Sequence, residues 1–167
     1  QIFNAYIINL FVSVVPMAAG AVLFYKILSS YFQFSKITSL SYSFVLAFST
    51  PLFPFSTNLW GHGTSAAFLI FSLYNFLRKG EKLWFWAGFW AGMSACTDYL
   101  ASIFLVGISV HACLRGRKSA CLCVLGAFMP LSCLALYQYS CFGSPFAPSI
   151  AYNNPIYLQE GKTAGVL

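Results

Sequence analysis

The sequence predicts an all-α fold: a polytopic membrane helical bundle of about six transmembrane or re-entrant helices. Three observations predict it. Of 167 residues, 59% are apolar and 7% are charged, nine Lys or Arg against three Asp or Glu. A water-facing domain carries about 25% charged residues, so this chain has too few to coat its surface. Mean hydropathy is +0.75, and the apolar residues form continuous runs rather than the alternation of a β-barrel. Disorder, a nucleic-acid-binding domain and an ordinary soluble enzyme are excluded on this composition. The chain opens at Gln1 on an apolar run and stops at Leu167 after a Gly-Lys-Thr-Ala-Gly stretch. It reads as an internal piece of a longer membrane protein.

A bilayer crossing needs ~20 apolar residues in helix. The first run, about 2–25, is closed by Lys26 and contains Pro16 and Gly20, which membrane helices tolerate. Two apolar hairpins follow. The first has arms at about 37–50 and 64–77, interrupted by Pro51, Pro54 and the polar stretch from Ser56 to Thr64. The second has arms at about 83–96 and 99–114, interrupted at Thr97-Asp98-Tyr99. Each arm has roughly 14 to 18 residues, short for a full crossing, so short tilted helices and re-entrant hairpins both fit. A last uncharged run, about 119–139, completes a bundle over 1–139. Residues 140–167 form an external loop leading to a missing C-terminal part.

Orientation follows from the basic residues. A hairpin returns to the side it left, so Lys26, Lys36, Arg78, Lys79, Lys82, Arg115, Arg117 and Lys118 share one face. These are eight of the nine basic residues. Short loops rich in Lys and Arg mark the cytoplasmic side. The +6 charge is therefore a topology signal and not a nucleic-acid surface. Trp84 and Trp86 follow Lys82, where an interfacial belt belongs. Gly88 and Gly92, with Ala87, Ala91 and Ala95 beside them, make a small-residue stripe. Such a stripe serves helix packing within the bundle or a dimer face.

Candidate site residues cluster on the other, external face. Asp98 is the one acid within the hydrophobic part of the chain. A carboxylate at membrane depth costs a few kcal/mol, so it faces water, protein or a partner. It is read as a site residue, or as the cap of the helix that begins at Tyr99 or Leu100. His62 lies in Gly61-His62-Gly63 after Asn58. The flanking glycines suit close approach to a ligand. They suit a turn better, after which Thr64 or Ser65 caps the next helix. His111 falls at the cytoplasmic interface. The six cysteines read as small apolar filler. Cys121 and Cys123 point apart on a helix and no Cys-x-x-Cys occurs, so no metal site is expected. The tail, with Gly143, Pro145, Pro148, Tyr152, Asn153 and Lys162, reads as an ordered external loop.

Four stretches bear a family likeness: the opening helix with Tyr25-Lys26; Asn58-Leu-Trp-Gly-His-Gly-Thr-Ser-Ala-Ala67; Trp86-Ala-Gly-Phe-Trp-Ala-Gly-Met-Ser-Ala-Cys-Thr-Asp-Tyr99; and Leu136-Tyr-Gln-Tyr-Ser-Cys-Phe-Gly-Ser-Pro-Phe146. Their order resembles the C-type (GT-C) membrane glycosyltransferases, in particular bacterial relatives of protein mannosyltransferases. Gln138 stands where that family more often has Asn. The resemblance implies transfer of a sugar from a polyprenyl-phosphate carrier to an acceptor on the outer face of a bacterial inner membrane. It implies a catalytic acid in an external loop upstream of this piece. Asp98, Tyr99, His62, Asn58, Tyr152, Asn153 and Lys162 would then be substrate-binding residues. The carrier phosphate would meet Lys162, a helix N-terminus near Thr64, or a divalent cation held by the missing part. Membrane lipid is the other expected partner. Two other classes compete: a transporter segment with Asp98 at a substrate or proton site, and a non-catalytic membrane scaffold.

Overall fold

A computed structural model describes residues 2–58 and 61–146. Among these the chain is all-helical, with no strand. Helix α1 (Ile2–Asn9) runs through a π-helical segment, Leu10–Val14, into α2 (Val15–Ser30). Then come α3 (Lys36–Phe48), α4 (Leu52–Thr57), α5 (Gly61–Leu77) and α6 (Leu83–Thr97). A 3-10 turn, Tyr99–Ala101, leads into α7 (Ser102–Arg115), and α8 (Arg117–Phe142) follows. The chain divides into two compact units, Gln1–Leu131 and Ser132–Leu167.

Two helices are long and apolar enough to cross a membrane, Phe3–Ser30 and Arg117–Phe142. The distribution of side chains is inverted relative to a water-soluble bundle. Most of the buried residues are small or hydroxylated, among them Ala67, Ala87, Ala91, Ala95, Ala112, Ser13, Ser39, Ser65, Ser72 and Ser94, beside a few large ones such as Met17, Ile27, Leu28, Phe68 and Ile108. Large apolar residues face outward in helical stripes. On α7 these are Ile103, Val106, Val110 and Leu114, the last 81% exposed; on α3 they are Ile37, Leu40, Phe44 and Phe48. Small residues inside and bulky apolar ones outside suit helices whose backbones pack closely while their outer faces meet an apolar surrounding.

Several element boundaries differ from the sequence reading, each for a local reason. The first helix does not stop at Lys26 but continues to Ser30, since one lysine at a helix end carries its charge outward on a long stem. The predicted interruption at Pro51 and Pro54 contains α4. Pro51 is its N-cap and Pro54 lies in its first turn, where a missing N–H leaves no helical bond unmade. Helix α5 begins at Gly61 rather than Thr64. The last helix runs on to Phe142 and ends where Gly143 takes φ +71°; its N–H bonds the Tyr139 carbonyl at 2.9 Å.

The π-helical segment has an identifiable cause. Pro16 has no N–H, so the carbonyl of Val12, four residues before it, loses its helical donor. That carbonyl accepts a hydrogen bond from Thr64 Oγ1 at 3.0 Å. Ser13 Oγ lies 3.1 Å from the same hydroxyl. A backbone acceptor left without its helical donor is thus satisfied from another helix.

Helices α5 and α6 are joined along their length. Ser65 Oγ and Ser94 Oγ lie 2.6 Å apart, Ser94 Oγ also donates to the Ser65 carbonyl at 2.9 Å, and Ser72 Oγ donates to the Ala87 carbonyl at 2.6 Å. On the opposite side of α6, Gly88 lies against the Cys123 backbone, Gly92 against Ala127 and Pro130, and Gly126 against Phe85. A β-carbon at Gly88 or Gly126 would overlap a carbonyl oxygen of the facing helix. The small-residue stripe is therefore covered by α8 of the same chain. Ala87, Ala91, Ile108, Ala112 and Cys123 form the core there, flanked by Phe76, Trp84, Phe104 and Leu105.

Within the second unit, Gln138 is buried. Ser140 Oγ bonds back to the Leu136 carbonyl at 2.9 Å, and the Tyr137 and Phe142 rings meet edge to face at 6.5 Å.

Candidate functional site

One end of the first unit gathers the polar residues of three chain breaks. Between α6 and α7 the backbone of Asp98 turns extended, at φ −145° and ψ 113°, and ends α6. Its Oδ1 accepts the Leu100 N–H at 3.1 Å, capping the 3-10 turn. Its Oδ2 lies 2.7 Å from His62 Nδ1. The two readings of Asp98 are therefore not exclusive. One oxygen serves the backbone, and the other meets an imidazole 36 residues away in sequence.

The glycines beside His62 do not make the turn that sequence reasoning favoured. They lie in the first turn of α5 and set how close its backbone comes to its neighbours. A β-carbon on Gly61 would sit 2.6 Å from the Thr97 carbonyl oxygen, and one on Gly63 would sit 2.9 Å from the Ser56 nitrogen. Only glycine allows this approach without a shift. Thr64 and Ser65 do not cap the helix either. As the fourth and fifth residues of α5 (Gly61–Leu77), they spend their hydroxyls on Val12 and Ser94.

The resulting pair is asymmetric in exposure. The His62 side chain is 54% exposed and that of Asp98 20%. The more buried carboxylate holds the more open ring. An Nδ1–H that donates to the carboxylate puts the lone pair of the neutral ring on Nε2 and fixes the ring's orientation. Alternatively, a protonated ring makes an ion pair with Asp98. The Phe55 ring meets the imidazole edge to face at 5.3 Å and limits its swing. Both arrangements position a titratable group at a helix end, where proton transfer or polar recognition is feasible.

The other predicted site residues are distributed around this pair. Tyr99 follows Asp98 directly and is about half exposed. Asn58 closes α4, with its side-chain amide bonded to the Pro54 carbonyl at 2.8 Å. Tyr152, Asn153 and Lys162 lie outside the described residues. Sequence reasoning missed Asn9, which sits where α1 meets the π-helical segment. Its Nδ2 donates to the Thr57 carbonyl at 2.7 Å, while its buried Oδ1 has no hydrogen-bond partner. An Asn in an apolar run followed by a proline seven residues on was the available signal.

Among the described residues no three His, Cys, Asp or Glu side chains are grouped as metal ligands. His62 and Asp98 alone make too few ligands for a divalent cation, which takes four or more. No disulfide joins the cysteines of the described residues; Cys123 is fully buried, and Cys113, Cys121, Cys133 and Cys141 are exposed. Comparison with family models, curated proteins and solved structures returned no match.

Proposed function

We propose that this chain is part of a polytopic integral-membrane glycosyltransferase that transfers a sugar from a polyprenyl-phosphate carrier to an acceptor on the outer face of the membrane. The His62–Asp98 pair, 2.7 Å apart at the junction of α5, α6 and α7, is the observation that carries this reading. A carboxylate and an imidazole held together at a helix end are suited to hydrogen-bonding sugar hydroxyls or a carrier phosphate. The inverted side-chain distribution supports the membrane setting, with α1–α2, α8 and the shorter helices as six spans or hairpins. The basic loops at 26–36, 78–82 and 115–118 are assigned to the cytoplasm, which puts His62 and Asp98 outside. The base that activates the acceptor is assigned to an external loop of the longer protein. Asp98 and His62 are binding and positioning residues.

The transporter reading is favoured by one observation, the π-helical interruption next to Pro16, since irregular backbone at membrane depth lines substrate sites in transporters. One experiment separates the two. The full-length protein is reconstituted with polyprenyl-phosphate sugar and acceptor. Consumption of the carrier, reduced by Asp98→Asn by more than folded yield falls, supports the transferase. Uptake of a solute driven by an ion gradient, with no carrier consumed, overturns it.

A further inference from the structure

The opposite end of the first unit holds a cavity that the proposed function does not use. It encloses about 570 Å3 and is lined by Arg78, Lys79, Arg115, His111 and Trp84, among others. Two separate loops supply its cations, the α5–α6 connection and the end of α7. The ion pair between Glu81 and Lys118 joins those loops. That pair also occupies the nearest acid. Among the described residues, Arg78, Lys79 and Arg115 have no carboxylate partner. Arg78 instead lies over the Tyr74 ring at 5.4 Å. Three cations converge on one polar cavity and await a negative charge.

The cavity does not end at its polar wall. Phe76 and His111 also line a second cavity of about 560 Å3, a groove along α5 and α7 bounded by Leu69, Leu73, Ile103 and Gly107. This groove is almost wholly apolar. His111 stands at the junction, its ring stacked on Trp84 at 6.0 Å and set edge-on to Phe76 at 5.0 Å. Through the 3-10 turn and along α7 the groove extends from Leu100 to His111, about 17 Å at 1.5 to 2.0 Å per residue. Gly107 has nothing within 4 Å of where its β-carbon would be, so the groove is open beside it.

We infer that these two cavities form one site for an anionic phospholipid. Its phosphate sits among Arg78, Lys79 and Arg115, and one acyl chain lies in the α5–α7 groove. Basic pockets between helices take anionic headgroups by charge. A free phosphate would use the polar part alone, and a zwitterionic lipid would gain little from the cations. Only an anionic lipid satisfies both halves. The inference shares with the proposed function the membrane setting but none of its site residues.

The test is retention of fluorescent phosphatidylglycerol and phosphatidylcholine by the purified chain in detergent. Phosphatidylglycerol binds the more tightly, and Arg78→Gln with Arg115→Gln reduces that preference about 30-fold. Arg78→Lys with Arg115→Lys keeps most of it. Gly107→Phe, which fills the groove, weakens both lipids at least about tenfold while the helical circular dichroism spectrum is unchanged. Equal retention of the two lipids overturns the inference, as does full displacement by millimolar inorganic phosphate with no effect of Gly107→Phe. The membrane setting is read separately, from whether the chain stays with membranes on alkaline extraction. A transferase without lipid preference, or a preference without transferase activity, tells the two proposals apart.

Discussion

At the scale of single residues, Asp98 divides its two oxygens between a backbone N–H and His62. Asparagine in its place keeps the cap, because an amide oxygen accepts the Leu100 N–H equally well. It loses the charge that holds the imidazole. Asp98→Asn in the full-length protein is therefore expected to lower turnover about 10- to 100-fold, by analogy with the loss of a carboxylate that orients a metal-bound histidine. Because the two side chains act together, Asp98→Asn and His62→Gln should be non-additive. The double variant should turn over no more slowly than the worse single variant. Strictly multiplicative losses in that cycle would sink the pair as a unit. The glycine beside the pair is equally constrained. Gly61→Val places carbon against the Thr97 carbonyl and should push α5 away from Asp98. Its signature is an activity loss with His62 and Asp98 both unchanged in sequence.

At the scale of elements, one hydroxyl holds two helices in place. Thr64 Oγ1 supplies the donor that Pro16 withholds from Val12. Thr64→Val preserves shape and removes that donor, leaving a partly buried carbonyl unsatisfied at a cost of about 1 kcal/mol. The expected reading is a lower midpoint of unfolding by denaturing detergent, restored by Thr64→Ser. A midpoint unchanged by Thr64→Val would mean that the Val12 carbonyl finds another partner. The element boundaries were legible in proportion to how local their causes are. Helix α7 begins at Ser102, three residues after the 99 of the sequence reading, while α6 begins at Leu83 and α7 ends at Arg115. There a charged loop, Arg78 to Lys82, and the Gly116 turn interrupt apolar runs. The start of α5 was misplaced because Gly61-His62-Gly63 carries turn chemistry. It is helical because Gly61 and Gly63 must lie against Thr97 and Ser56, and that requirement appears nowhere within α5 itself.

For the whole molecule, the arrangement of charge carries the proposed topology. Lys118 pairs with Glu81, bringing the second and third basic loops to one end, while His62 and Asp98 lie at the other end of α5 and α6. Exposed cysteines make the orientation testable. Cys113 and Cys121 flank the basic loop at 115–118, and Cys141 lies near the end of α8; all three are exposed. In single-cysteine variants in sealed right-side-out vesicles, a membrane-impermeant maleimide should label Cys141 at once. It should label Cys113 only after permeabilisation. The reverse order would invert the topology and move the His62–Asp98 pair to the cytoplasm.

The sequence by itself determined the helical class, the approximate helix limits and the gathering of basic residues into short loops. Hydropathy and charge are properties of contiguous residues, so no tertiary knowledge is needed to read them. It also singled out Asp98 and His62, because ionisable groups are rare in so apolar a chain. The tertiary structure alone decided their distance, the double duty of Asp98 and the burial of the Gly88–Gly92 stripe beneath α8. It alone found Asn9 and Thr64. These depend on contacts between residues 36 to 52 apart in the chain. The partner that satisfies a donor or an acceptor at that range is chosen by helix packing, which no local pattern encodes.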